Sequence, residues 1–220
     1  MVWKISWEAR PAYRGRLHAI AAFVAPAAAA AVITRATPGR NRIAAAVYGA
    51  GLCGLFAVSG AYHRLSRSRK WAERMRLIDH SMIYVMIAGT WTPIVVAVLP
   101  PKYSRLVLGA VWGSAASAIG AKVAFLDEKN RAGSWFYPVL GLAGAGLAPA
   151  VAKAAGKSSV ALLSAGGAAY IGGAIIFATR KPNPWPKKFG YHEIFHTAVV
   201  AGVASHFAVI WKLVGPRKRR

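Results

Sequence analysis

His192 and His196 are the residues whose types and spacing point first to chemistry. They lie four apart within Phe189 to Ile210, FGYHEIFHTAVVAGVASHFAVI, a mostly apolar stretch about one bilayer width long. On a helix, side chains four apart stack on one face. Two stacked imidazoles are a ready pair of metal ligands, and zinc is their usual guest. Ionisable groups at membrane depth are costly and mark functional sites, with a partner elsewhere in the chain. The ordinary alternative is a pair of histidines at a helix end, half in the headgroup region.

The elements that must position such a pair are membrane spans. Of the 220 residues, 56% are hydrophobic and 16% charged, where a soluble domain would carry about one quarter charged residues. A net charge of +23 would suit nucleic acid. The basic residues, however, cluster between apolar runs, where they meet anionic headgroups. Membrane lipid is therefore the expected partner, and nucleic acid is not. One cysteine, Cys53, excludes an internal disulfide.

Apolar runs at roughly 17–34, 43–63, 77–99, 106–126, 134–152, 159–178 and 190–212 predict seven spanning helices. The fold class expected is all-α: one integral membrane seven-transmembrane-helix bundle over 1–220. The first run is alanine-rich, contains Pro26 and is short enough to pass for a signal peptide. Its basic preface is long and nothing disulfide-rich or soluble follows, so it reads as a span. The fifth run contains Pro138 and Pro149. Gly109, Gly113 and Ser117 recur at four-residue spacing and predict a close-packing face on the fourth span. The pairs Gly166-Gly167 and Gly172-Gly173 predict the same for the sixth. Trp3 and Trp7 suit the headgroup zone, and more of the 29 lysines and arginines fall with the N-terminal segment and loops 2–3, 4–5 and 6–7 than opposite them. That bias predicts a multi-pass plasma-membrane protein with a cytoplasmic N-terminus and an external C-terminus, although the tail from Gly215 to Arg220 is itself basic.

Seven spans place the end of the second, the start of the third and the start of the seventh on one side. Those are the places where the unusual residues fall. The second ends in Ser59-Gly60-Ala61-Tyr62-His63, the third begins Asp79-His80, and the seventh begins with His192 and His196. Three imidazoles and a water would make a tetrahedral zinc site with an open position, the arrangement of catalytic zinc. Asp79 and Ser59 could hold the water or an imidazole N–H. Each also has an ordinary alternative: Asp79 as a helix cap, Ser59 bonded to its own helix backbone, His63 at the interface.

His192-Glu193-Ile194-Phe195-His196 also reads as H-E-x-x-H, the zinc-protease pattern in which the glutamate is the general base. The pattern is short, and no spanning segment follows to supply a third ligand. His63 is the best upstream candidate. Glu193 points about 100° away from His192 around a helix, which weakens it as a base.

At this point the residues carry a resemblance. Ser59…His63, then Asp79-His80-Ser81-Met82-Ile83-Tyr84 and Ile87-Ala88-Gly89-Thr90-Trp91-Thr92-Pro93, resemble the hemolysin III family. So do Pro184-Trp185-Pro186…His192-Glu193-Ile194-Phe195-His196 and Ser205-His206-Phe207. That family is similar to the progestin and adipoQ receptors, including the adiponectin receptors, and distantly to alkaline ceramidases. The resemblance implies a seven-helix bundle with a cytoplasmic N-terminus and a zinc ion near that side. His63, His192 and His196 would be the ligands, Asp79 would orient the zinc-bound water, and Ser59 would sit beside it. His80 and His206 match family-like positions without being ligands. His18 matches no role and is expected at the interface.

The activity expected is zinc-dependent hydrolysis of a lipid amide or ester, ceramide-like, with Asp79 as base and zinc lowering the pKa of its water to about 7. A pore-forming or cytolytic protein is the rival from another class, although no span carries a continuous polar stripe. A receptor-like protein with structural zinc is a third reading.

Overall fold

Apolar runs of bilayer length have no way to satisfy their backbone in lipid except as helices, and the chain is helical accordingly. A computed structural model describes residues 11–66, 68–124, 137 and 141–216. Within them, α1 is Arg16–Arg35, α2 is Arg40–Leu65, α3 is Arg69–Val98 and α4 is Pro101–Ala124. A short 3-10 helix, Ala143–Leu147, leads into α5, Ala148–Ala155. Then come α6, Lys157–Thr179, and α7, Tyr191–Val214. Six of these, all but α5 and the 3-10 turn, are long and apolar enough to cross a membrane. The described residues form an all-α membrane helical bundle with no strand.

The fifth expected span, 134–152, falls partly outside the described residues. Its described portion is Tyr137, residues 141–142, the 3-10 turn and the start of α5, with Pro149 in the first turn of α5, where a missing N–H removes no helical hydrogen bond. Trp3, Trp7, Pro138 and the tail from Arg217 lie outside the described residues.

α3 begins eight residues earlier than hydropathy predicts. The Ser68 hydroxyl caps it by accepting the Trp71 N–H at 3.3 Å, and Arg69 pairs with Glu73 one turn on at 2.8 Å. These polar turns are helical without being apolar, so a hydropathy window does not register them. One consequence is a correction: Asp79 lies deep within the helix and does not cap it.

Neighbours along the chain pack as antiparallel pairs, α1 with α2, α2 with α3, α3 with α4 and α6 with α7, while α7 also meets α1, α2 and α3. The starts of α1 and α7 and the end of α2 therefore share one end of the bundle. Between that end and the other lies an apolar core, with Val32 from α1, Leu52 and Phe56 from α2, Met86 and Ile94 from α3, and Val209 and Ile210 from α7.

In lipid, helices are held by close packing of small residues more than by hydrophobic burial. On α6, Gly166 and Gly173 carry that contact: a Cβ on them would meet His206 Cδ2 at 2.6 Å and Ala198 Cβ at 2.8 Å. A Cβ on Gly167 or Gly172 would meet nothing within 4 Å among the described residues, so there one glycine of each pair packs. The expected stripe on α4 finds no partner among the described residues. Gly109 and Gly113 have no neighbour within 4 Å among the described residues, and Ser117 is exposed. α4 instead meets α3 through Val111 and Ala115 and through Trp112 Nε1–H, which donates to Thr92 Oγ1 at 3.1 Å.

Candidate metal centre

Helical spacing makes the pair expected from the sequence. His192 and His196 occupy the first turns of α7, and their Nε2 atoms are 3.1 Å apart. His63, in the last turn of α2, brings its ring centroid to 4.7 Å from that of His192 and 4.9 Å from that of His196. One nitrogen from each of the three lies within 4.8 Å of the others, with His63 and His196 buried and His192 half-buried. Two nitrogens on a tetrahedral zinc ion, each about 2.05 Å from it, are about 3.4 Å apart. The donor set and spacing fit a metal ion. Without one, two facing imidazole nitrogens can share only a single N–H.

Asp79 is half-buried on α3 and lies within hydrogen-bonding reach of the Ser59 hydroxyl. Ser59 is 2% exposed and does not bond back to its own helix; its oxygen is 2.9 Å from His18 Nδ1. His18 thus stands against expectation. It is 3% exposed, not interfacial, and its ring stacks on that of His196 with centroids 3.8 Å apart and planes 8° from parallel. The parity argument contains the signal that finds it, because the start of the first span shares the side of His63, Asp79 and His192.

Glu193 is occupied elsewhere. It is 4% exposed, accepts from Arg14 Nε at 2.6 Å and takes the backbone N–H of Gly190 at 2.7 Å. The second contact is half of a capping box, reaching back to the residue before the helix. The glutamate of the H-E-x-x-H pattern therefore caps α7 and binds the segment before α1, which removes its reading as a general base. That segment is further tied down by the N–H groups of Ala12 and Tyr13, which donate to Lys187 O and Lys188 O at 3.0 and 3.1 Å. Gly15 at its end has φ of 72°, and a Cβ there would overlap that of His63. Glycine is needed at this position for its backbone and for its lack of a side chain.

His80 and His206 stay outside the cluster. The His80 carbonyl accepts from Tyr137 OH at 3.2 Å. His206 lies ten residues beyond His196, about 15 Å along the helix, with Nε2 3.2 Å from Leu163 O and its ring against Tyr170.

Comparison with known proteins bears directly on this arrangement. A family model described as haemolysin-III related matches residues 7–207, a range that takes in every residue of the cluster. The chain belongs to the haemolysin III family. It is 30% identical over 162 residues to the Hemolysin-3 homolog of Bacillus subtilis, covering 73% of this chain and 72% of that one. It is also 30% identical over 175 residues to Hemolysin-3 of Bacillus cereus, covering 79% and 76%. Beyond bacteria, it is 27% identical over 177 residues to the human monocyte to macrophage differentiation factor, covering 78% and 71%. Haemolysin III membership agrees with the motifs on α2, α3 and α7 from which the resemblance was drawn.

Proposed function

We propose that this haemolysin III protein is a zinc-dependent hydrolase of a lipid amide or ester. The observation that carries the reading is the buried three-imidazole cluster of His63, His192 and His196 beside the Asp79–Ser59 pair. Zinc held by the three histidines would supply a Lewis acid and lower the pKa of water to about 7. Asp79 is assigned the role of proton carrier: its carboxylate would take a proton from water and return it to the leaving amine or alcohol. Ser59 holds that carboxylate in place. The segment 11–15, pinned by Arg14 to Glu193, covers the histidine end and limits solvent there, which strengthens electrostatic interactions inside.

The test is fatty-acid release from a panel of ceramides and related lipids. Asp79→Asn keeps the shape and loses the basicity, so zinc should stay bound while turnover falls at least 100-fold. His63→Ala should lose metal and turnover together. Zinc-loaded wild type that releases fatty acid from no lipid would overturn the reading. The rival is raised by the name of the Bacillus cereus relative, a hemolysin. The apolar core between the two ends opposes a continuous polar lane among the described residues. Single-channel current unaffected by loss of the histidines would favour that rival.

We place the histidine end in the cytoplasm, with a seventh crossing between α4 and α6. Support comes from direction: α4 ends at the histidine end, as α6 does, so the chain must return before α6 begins. Anionic lipid headgroups are the proposed partners of the basic residues at both ends of the bundle, among them Arg64, Lys70, Lys187 and Lys188 at the histidine end and Arg40, Arg42, Lys102 and Arg105 at the other.

A further inference from the structure

We propose that His18 is a positioning residue of the histidine site, orienting Asp79 through Ser59 and fixing the ring of His196 by stacking. The inference rests on the metal-site reading but not on hydrolysis.

The proposed relay runs in one direction. Asp79, as a carboxylate, can only accept, and a serine hydroxyl has one proton to give. In the relay Ser59 turns that proton toward Asp79, which lies within its reach, and its oxygen receives the N–H of His18 Nδ1 across the 2.9 Å contact. Neutral His18 then carries its proton on Nδ1. Without that donor, the Ser59 hydroxyl is free to turn to the Leu55 carbonyl one turn back, the usual resort of a helical serine, and Asp79 loses its support.

The stack supplies the second half. Rings 3.8 Å apart and 8° from parallel cannot both aim a nitrogen at one ion, so His18 is not a fourth ligand. It holds the plane in which His196 Nε2 faces His192. His18 is in turn fixed by Phe56, whose ring meets it edge-on at 5.2 Å. It is fixed also by the approach of α1 to α2 at Gly60, where a Cβ would lie 3.0 Å from Ala19 Cα. Hydrogen-bonded groups that orient metal-binding histidines commonly change metal affinity 10–100-fold when removed, and a stacked ring that fixes the same orientation acts in the same direction.

Histidine-selective 15N NMR of the full chain in detergent micelles tests the hydrogen-bond direction without needing metal or turnover. The resonances of His18, assigned by their loss in His18→Gln, should show the Nδ1–H tautomer, and Ser59→Ala should change that pattern. An Nε2–H tautomer, or indifference to Ser59→Ala, overturns the relay. Zinc affinity by chelator competition tests the stack. His18→Phe keeps a flat ring and should bind within about threefold of wild type, whereas His18→Ala should bind at least 10-fold more weakly. Equal losses in both variants, or none in either, overturn the stacking role. Absence of zinc binding by the wild type would sink the metal reading itself, while the tautomer measurement would still stand.

Discussion

Replacing the clustered histidines one at a time separates coordination from packing. His63→Ala, His192→Ala and His196→Ala should each remove most of one bound zinc per chain by elemental analysis, while His206→Ala should leave it in place, since its ring serves α6 and Leu163. Full zinc in all of the first three would mean the cluster is not a metal site. Glu193→Gln tests the cap. Removing one partner of a buried ion pair costs about 3 kcal/mol or more, so the variant should unfold more easily in detergent yet keep its zinc. Unchanged stability would refute the Arg14 contact as a structural tie. The meeting of His63 with His192 and His196 could be foreseen from the sequence because span parity brings chain ends together. The task of Glu193 could not. Its motif pointed to chemistry, and only the position of Arg14, far away in sequence, shows that the carboxylate is occupied.

At the scale of elements, glycines divide into those that set a distance and those that do not. Gly166→Leu should push α6 from α7 and cost about 1–3 kcal/mol, the usual penalty for overfilling a packed contact; Gly167→Leu, with no neighbour among the described residues, should cost nothing measurable. Equal effects on thermal unfolding would mean the two helices are not in register as described. Gly15→Ala combines a left-handed backbone, worth about 1–2 kcal/mol against a side chain, with overlap on His63, so it should lower both stability and zinc content. Hydropathy located the six long helices within a few residues at most ends. It missed the first two turns of α3, because helix held by a serine cap and an ion pair outside lipid leaves no apolar signal. The α4 stripe meets no partner among the described residues, and the residues that follow α4 lie outside them.

For the whole molecule, reporter fusions at residues 70 and 216 should fall on opposite sides of the membrane, with residue 70 cytoplasmic. The same side for both would remove the crossing between α4 and α6. The bundle closes where α7 returns to α1, joined at one end by Thr37 N–H to Val214 O at 2.9 Å and at the other by the 11–15 segment on Lys187 and Lys188. This closure has a consequence for biosynthesis. His18 and Arg14 leave the ribosome among the earliest of the described residues, and the partners they need, His196 and Glu193, among the last. During translation the first helix must wait in the bilayer with a histidine, and an arginine before it, still unmatched. The histidine end is therefore the last part of the protein to be assembled, and a chain halted before α7 would be inserted and helical but would lack the three-histidine cluster.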